Sequence, residues 1–437
     1  MSEQRNTGSG PGQSGIHKMK FTLRLRLSTM MLLQYFIWGA WYVTLGTWLA
    51  TSLRFSGQQI GLAAGTTAVG AIIAPFFVGL VADRLFKTQW VLAVLHIAGA
   101  VLLFVASMQT RFLPFYLIVL LYCLCFMPTL ALTNSLAFRH MQSPEEQFGS
   151  IRVLGSGGWI IAGLLIGTLR LEATAIPMQV AAAASLLMGI YCLTLPDTPP
   201  LARTAKFSLD SIFPREAVNL LRERSMLVFA LASFFICIPL QFYYAFTNLF
   251  LNQAGVRNAA GKMTGGQISE LLCMLLIPWF FRRLGVKYML AAGMLAWVAR
   301  YLFFAYGNID EKMWMLWAGI LLHGICYDFF FVTGQIYIDR KAPSSLRASA
   351  QGLITFITYG LGMFVGSWLS GAVVSHYALS VPRGDMTYDW KAIWIFSATA
   401  SAVVLILFLF SFSDKQADEK AMLRSSEEVS PQIQSLI

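Results

Sequence analysis

The chain has 437 residues, of which 57% are hydrophobic and only 12% charged, with a mean hydropathy of +0.63. A soluble domain carries about 25% charged residues, so a large water-soluble α-protein is excluded and lipid must be the main solvent. The formal net charge of +11 is the balance expected of basic cytoplasmic loops, and nucleic-acid binding is set aside.

The first segment, 1–26, is expected to be a disordered cytoplasmic tail. Met1 to Lys20 is polar and rich in Gly and Ser, with no small-residue cleavage site behind an apolar stretch. Long apolar runs then recur to the end of the chain. Leu27 to Ala50 and Ala398 to Phe412 contain no charge at all. A spanning helix needs about 20 apolar residues to cross roughly 30 Å of hydrocarbon. On that measure the predicted spans are 27–50, 58–82, 89–109, 112–137, 152–170, 175–195, 225–252, 264–281, 286–306, 313–338, 347–376 and 391–412. The longest break, 196–224, carries Pro-Asp-Thr-Pro-Pro and then mixed charges. It divides the chain into six-helix bundles at 27–195 and 225–412, with a cytoplasmic tail at 413–437.

Lys and Arg set the orientation. With the N-terminus inside, 23 of the 32 basic residues fall on inside segments and eight outside, and Arg300 lies within a span. Both termini are therefore expected in the cytoplasm. The six cysteines all lie in apolar runs without metal-ligand spacing, and they read as reduced packing residues. No metal, cofactor or catalytic motif is indicated, and an enzyme is not expected.

Polar groups within spans are costly and mark function by default. In span five, Arg152, Ser156 and Trp159 share one face, although Arg152 reads equally as a rim cation. In span seven, Gln241, Tyr244 and Asn248 share a face. In span eight Gln267 and Glu270 are three apart, behind Gly265 and Gly266, which places Glu270 toward the outer third. In span ten His323 and Tyr327 stack on one face. Asp328 sits mid-span beside four aromatic residues, where an ionised carboxylate is costly and can exchange a proton. The competing reading of Asp328 is a permanent pair with Arg300. Span one carries Gln34, Trp38 and Trp41 on one stripe, and Trp48 reads as an interface anchor. His96 in span three reads as a packing residue more than a functional one. Amides, hydroxyls, rings and carboxylates suit a neutral, polar, partly aromatic solute.

Two turns echo each other. Gly79-Leu-Val-Ala-Asp83-Arg84-Leu85-Phe86-Lys87 follows span two, and Arg282-Arg283-Leu284-Gly285-Val286-Lys287 follows span eight. The first resembles the cytoplasmic loop motif of the major facilitator superfamily, with Phe86 where a second Gly is usual. Asp83, Arg84 and Arg283 are the expected conformational residues. The expected fold class is an all-α polytopic membrane protein, twelve transmembrane helices in two pseudo-symmetric bundles with the site between them.

The run Tyr327-Asp328-Phe329-Phe330, then Ala342-Pro343 and Arg347-Ala-Ser-Ala-Gln-Gly352, resembles the nucleoside/proton symporter family. Trp38-Gly39, Met127-Pro128-Thr129, Ile151-Arg152 and Gln267-Ile-Ser-Glu270 support it. Leu-Pro-Asp-Thr-Pro-Pro and Leu-His-Gly-x-x-Tyr-Asp-Phe are similar to its YegT branch. The resemblance implies a proton-coupled importer of nucleosides in the bacterial inner membrane, acting as a monomer by alternating access. It implies substrate contacts from Arg152, Ser156, Trp159, Gln241, Tyr244, Gln267, Glu270, His323 and Tyr327. Asp328, with Glu270 second, would carry the coupling proton. The better-known permeases of the family have Thr, Asn and Tyr where this chain has Ser156, Tyr244 and His323. The alternative is a symporter for another neutral polar solute, such as a modified nucleoside, a nucleobase or a sugar.

Overall fold

The computed structural model describes residues 19–78, 81, 85–200, 214–380 and 386–413. Asp83 and Arg84 of the loop motif lie outside the described residues, as do 1–18, 201–213 and 414–437 of the expected tails and central loop. Helix α1 (Phe21–Tyr42) continues as α2 (Leu45–Thr51), and α3 (Gly57–Phe77) follows. Ser56 caps α3 reciprocally with Gln59, satisfying two otherwise orphaned N–H groups. Then come α4 (Thr88–Ser107), α5 (Phe112–Arg139), α6 (Pro144–Thr168) and α7 (Ile176–Cys192). A short helix, α8 (Arg215–Asn219), lies within the expected central loop and precedes α9 (Arg224–Gln253).

Helix α10 runs Ala259–Tyr306 and breaks at Gly285, whose φ of 67° and ψ of 179° only glycine adopts freely. The eighth and ninth spans are its two legs. The tenth span is a chain of α11 (Met313–Leu321), α12 (His323–Tyr327), a π-helical segment at Asp328–Val332, and α13 (Thr333–Lys341). The eleventh is α14 (Arg347–Thr355), a π-helical segment at Phe356–Gly362, and α15 (Met363–His376). A two-stranded antiparallel hairpin, β1 (Ala378–Ser380) with β2 (Met386–Tyr388), leads into α16 (Trp390–Ser411). Every expected span falls on one of these helices or legs. Among the described residues, nine helical stretches are long and apolar enough to cross a membrane.

Several edges differ from expectation. Helix α1 starts at Phe21 rather than Leu27, because Arg24 and Arg26 lie on its exposed first turns and can reach headgroups from there. The first leg of α10 starts at Ala259 rather than 264. Asn258, at φ 56°, caps it by accepting from the Gly261 N–H at 3.1 Å. This moves Glu270 from the outer third to the middle of the 259–284 leg. Trp48 is not an interface anchor: it is buried edge-on against Phe115. The hairpin was not anticipated in an all-α chain, but it occupies only a connection.

In the first half α1 packs on α6 and α7, α3 on α5, and α4 on α5 and α7. In the second, α9 packs on α15 and α16, and α10 on α11, α12 and α16. The halves meet along three seams: α2 with α9, α3 with α15, and α6 with α10. These are close backbone approaches. A Cβ on Gly46 would lie 2.3 Å from the Ala245 carbonyl oxygen, and one on Gly61 2.4 Å from that of Ser367. The seams gather at the end of the bundle carrying the 51–57, 168–176, 253–259 and 376–390 connections, here called the far end. At the other, near end, polar contacts between described residues include Lys87 with Asp197 at 2.7 Å, His140 with Thr198 at 2.8 Å, and Lys341 with Glu223, each within one half.

Candidate functional site

A cleft between the halves is lined by Tyr42, Val43, Trp159 and Gly163 from the first and by Tyr243, Tyr244, Ala260, Met263, Thr264 and Gln267 from the second. Trp159 on α6 meets Trp38 on α1 edge to face, with centroids 5.6 Å apart. Tyr42 faces Tyr244 across the seam at 6.2 Å. The cleft is thus walled by rings, with the Gln267 amide and the Thr264 hydroxyl among them. That chemistry suits a flat, hydrogen-bonding, uncharged solute.

Beside the cleft stands a column of stacked groups. The Arg300 guanidinium lies 4.0 Å over the Tyr243 ring, and its Nε donates to the Gly319 carbonyl at 2.9 Å. Tyr243 stacks on His323 at 5.4 Å, and His323 on Tyr327 at 5.9 Å. The Tyr327 and Tyr359 hydroxyls share a hydrogen bond of 2.7 Å. His323 Nε2 is 3.7 Å from a Glu270 carboxylate oxygen. Glycine makes that pair possible. The Gly324 N–H donates to Ser269 Oγ at 3.0 Å, and a Cβ on Gly324 would lie 2.5 Å from the Ser269 backbone. Helices α10 and α12 can therefore approach closely enough for Glu270 to meet His323.

Asp328 opens the first π-helical segment, off the cleft lining. It is 0% exposed, and neither carboxylate oxygen has a hydrogen-bond partner among the described residues. It forms no ion pair with Arg300, whose guanidinium lies over the Tyr243 ring and whose Nε donates to the Gly319 carbonyl. The permanent-pair reading is therefore corrected.

Of the residues singled out in the sequence, Trp159, Tyr244 and Gln267 line the cleft, and Glu270, His323 and Tyr327 form the adjacent cluster. Gln241 is buried under Gly366. Arg152 stacks 3.9 Å over the Tyr35 ring. Ser156, one turn further along α6, is half-buried. Arg283 lies at the near end, exposed and 4.0 Å over Trp279. Asn248 belongs to the far seam rather than the cleft. Gln34 and His96 form a separate buried network within the first half. His96 Nε2 lies 3.0 Å from Gln34 Oε1 and its Nδ1 3.3 Å from Ser185 Oγ, while Gln34 Nε2 donates to Thr129 Oγ1 at 2.8 Å. Sequence reasoning missed Tyr35, Tyr42 and Tyr359. Tyr42 falls in the same span as the Gln34, Trp38 and Trp41 stripe, one residue beyond it. Tyr359 carries no sequence signal that separates it from a packing ring.

The model of the Nucleoside H+ symporter family matches residues 19–417. YegT of Escherichia coli (strain K12) is 43% identical over 389 residues, covering 87% of this chain and 91% of that protein. The xanthosine permease of the same organism is 33% identical over 392 residues, covering 86% and 93%. The crystal structure of the nucleoside transporter NupG superposes with a TM-score of 0.82 at 30% identity, covering 90% of this chain and 100% of that one. The POT family transporter PepTSo, at 14% identity and a TM-score of 0.68, shares the fold. The chain belongs to the nucleoside H+ symporter family.

Proposed function

We propose that the chain imports nucleosides together with protons across the bacterial inner membrane, as a monomer with both termini in the cytoplasm and without enzymatic activity. Xanthosine and nucleoside permeases are among its relatives. The observation that carries the reading is the ring-walled cleft between the halves, with a carboxylate–imidazole pair beside it. Gln267 and Glu270 take the ribose hydroxyls. Trp159, Tyr244 and Tyr327 hold the base through their faces, and Arg152, Ser156, Gln241 and His323 complete the polar shell. Seams closed at the far end support a state open to the cytoplasm, and Arg283, with Asp83 and Arg84, belongs to the turns that control that opening.

Asp328 carries the coupling proton, with Glu270 as second carrier. A carboxylate with no partner and no water-facing surface is costly when ionised. Its protonation therefore changes the relative energy of the two access states, which is the differential interaction that coupling requires. Uptake of radiolabelled uridine and adenosine into proteoliposomes, with and without an inward proton gradient, tests the proposal. Gradient-stimulated accumulation that unlabelled nucleosides inhibit is expected. Folded protein that accumulates neither would contradict it.

A further inference from the structure

Glu172 lies in the turn between α6 and α7, in the first half, and is only 4% exposed. All three donors to its carboxylate come from the second half. Oε1 accepts the Ala260 backbone N–H at 2.8 Å, and Oε2 accepts the side-chain amides of Asn252 at 2.5 Å and Asn248 at 3.3 Å. The Thr47 hydroxyl, again from the first half, donates to Asn248 Oδ1 at 2.6 Å. Ala260 is the second residue of α10, so the carboxylate also lies at the positive end of a long helix. Among the described residues no basic side chain pairs with Glu172, so its charge is held by this helix end and two amides alone.

Each of these four bonds crosses the boundary between the halves. They exist only while the far end is shut, and its opening must exchange all of them for water. Bonds to an ionised acceptor are about twice as strong as neutral ones, so this carboxylate weights the closed state more heavily than any neutral contact along the seams. We propose that Glu172 is the far-side latch of the carrier, a positioning residue that sets the equilibrium between the far-closed and far-open states. The inference rests on the alternating-access reading but not on the identity of the solute. A carrier whose far-open state is rarely populated shows a weakened apparent affinity from that side. Loosening the latch therefore lowers the apparent KM for uptake.

The test uses the full-length protein in proteoliposomes with a reporter, Val374→Cys. Val374 is fully buried under Gly57 in the α3–α15 seam, whereas Glu172 bonds to α9 and α10. Alkylation by a maleimide is followed by peptide mass spectrometry. Native Cys237 and Cys326, buried in the second half, report any general loosening in the same sample. Glu172→Ala is expected to speed alkylation at position 374 by about tenfold, the lower end of what losing one charge-assisted hydrogen bond does to an equilibrium, while both native cysteines stay protected. Asn252→Asp opposes two carboxylates without creating a cavity, and the same acceleration is expected from it. Unchanged alkylation at 374 in both variants would overturn the proposal. So would a parallel rise at Cys237 and Cys326, which would make Glu172 a packing residue. Neither readout needs a transported solute, so failure here is distinct from failure of the nucleoside assignment.

Discussion

Replacing Asp328 by Asn should make the protein more stable and less useful. Asp328 is completely buried with both oxygens unpartnered. Insertion scales put an ionisable side chain at the centre of a spanning helix about 2.5–3.5 kcal/mol uphill. An unpartnered amide in the same place still costs about 1–3 kcal/mol. The difference leaves Asp328→Asn more stable by about 1 kcal/mol at neutral pH, read as a small rise in the thermal midpoint of detergent-solubilised protein. Transport should move the opposite way. If one proton accompanies each solute, a gradient of one pH unit supports about tenfold accumulation. The variant should reach a ratio near one under the same gradient while still exchanging labelled for unlabelled nucleoside. Gradient-driven accumulation at the wild-type level would refute the coupling role. A fall in stability together with loss of exchange would show that the carboxylate has a structural partner instead.

Tyr359→Phe removes one half of the hydroxyl pair with Tyr327. A hydrogen bond worth about 0.5–1.5 kcal/mol should appear as a rise of about 2- to 10-fold in the nucleoside KM, with the maximal rate little changed; an unaltered KM would remove Tyr359 from the site. Gln34→Leu takes the partner from His96 Nε2 and the amide donor from Thr129 Oγ1, while His96 Nδ1 keeps Ser185 and Thr129 keeps the Phe126 carbonyl, so stability should fall by about 1–3 kcal/mol, read as a lower thermal midpoint. Outside the spans, Asp197 is held below its ordinary pKa of 3.8, first by the hydrogen bond from Lys87 and then by Gln89. A carboxylate lowered on folding stabilises above its unfolded pKa and loses that contribution as pH falls through the folded value. Asp197→Asn should therefore lower the thermal midpoint slightly at neutral pH, and the gap from the wild type should close as pH falls below about 4.

Helices and the elements of the cleft on a single helix were legible because their signals are local. Apolar run length locates spans, and a spacing of three or four puts Gln267 with Glu270 and His323 with Tyr327 on common faces. What was not legible depends on which helices meet. His96 reads as an ordinary packing residue until Gln34 and Ser185 are placed beside it. Arg300 was a natural partner for Asp328 by charge alone, yet the structure gives it to the Tyr243 ring. The start of α10 was misplaced because Asn258 reaches its capping role through a left-handed backbone that composition does not announce. Tyr359 and Glu172 acquire meaning only across long sequence separations. A single acidic residue in a connection reads as solvated until the opposing half is docked against it.

The central claim is that nucleoside and proton move together. It is tested most directly by adding uridine to proteoliposomes with no imposed gradient and following external pH. Alkalinisation of the medium is expected as protons enter with the solute, and it should be absent in Asp328→Asn vesicles. Uridine entry with no change in external pH would contradict it.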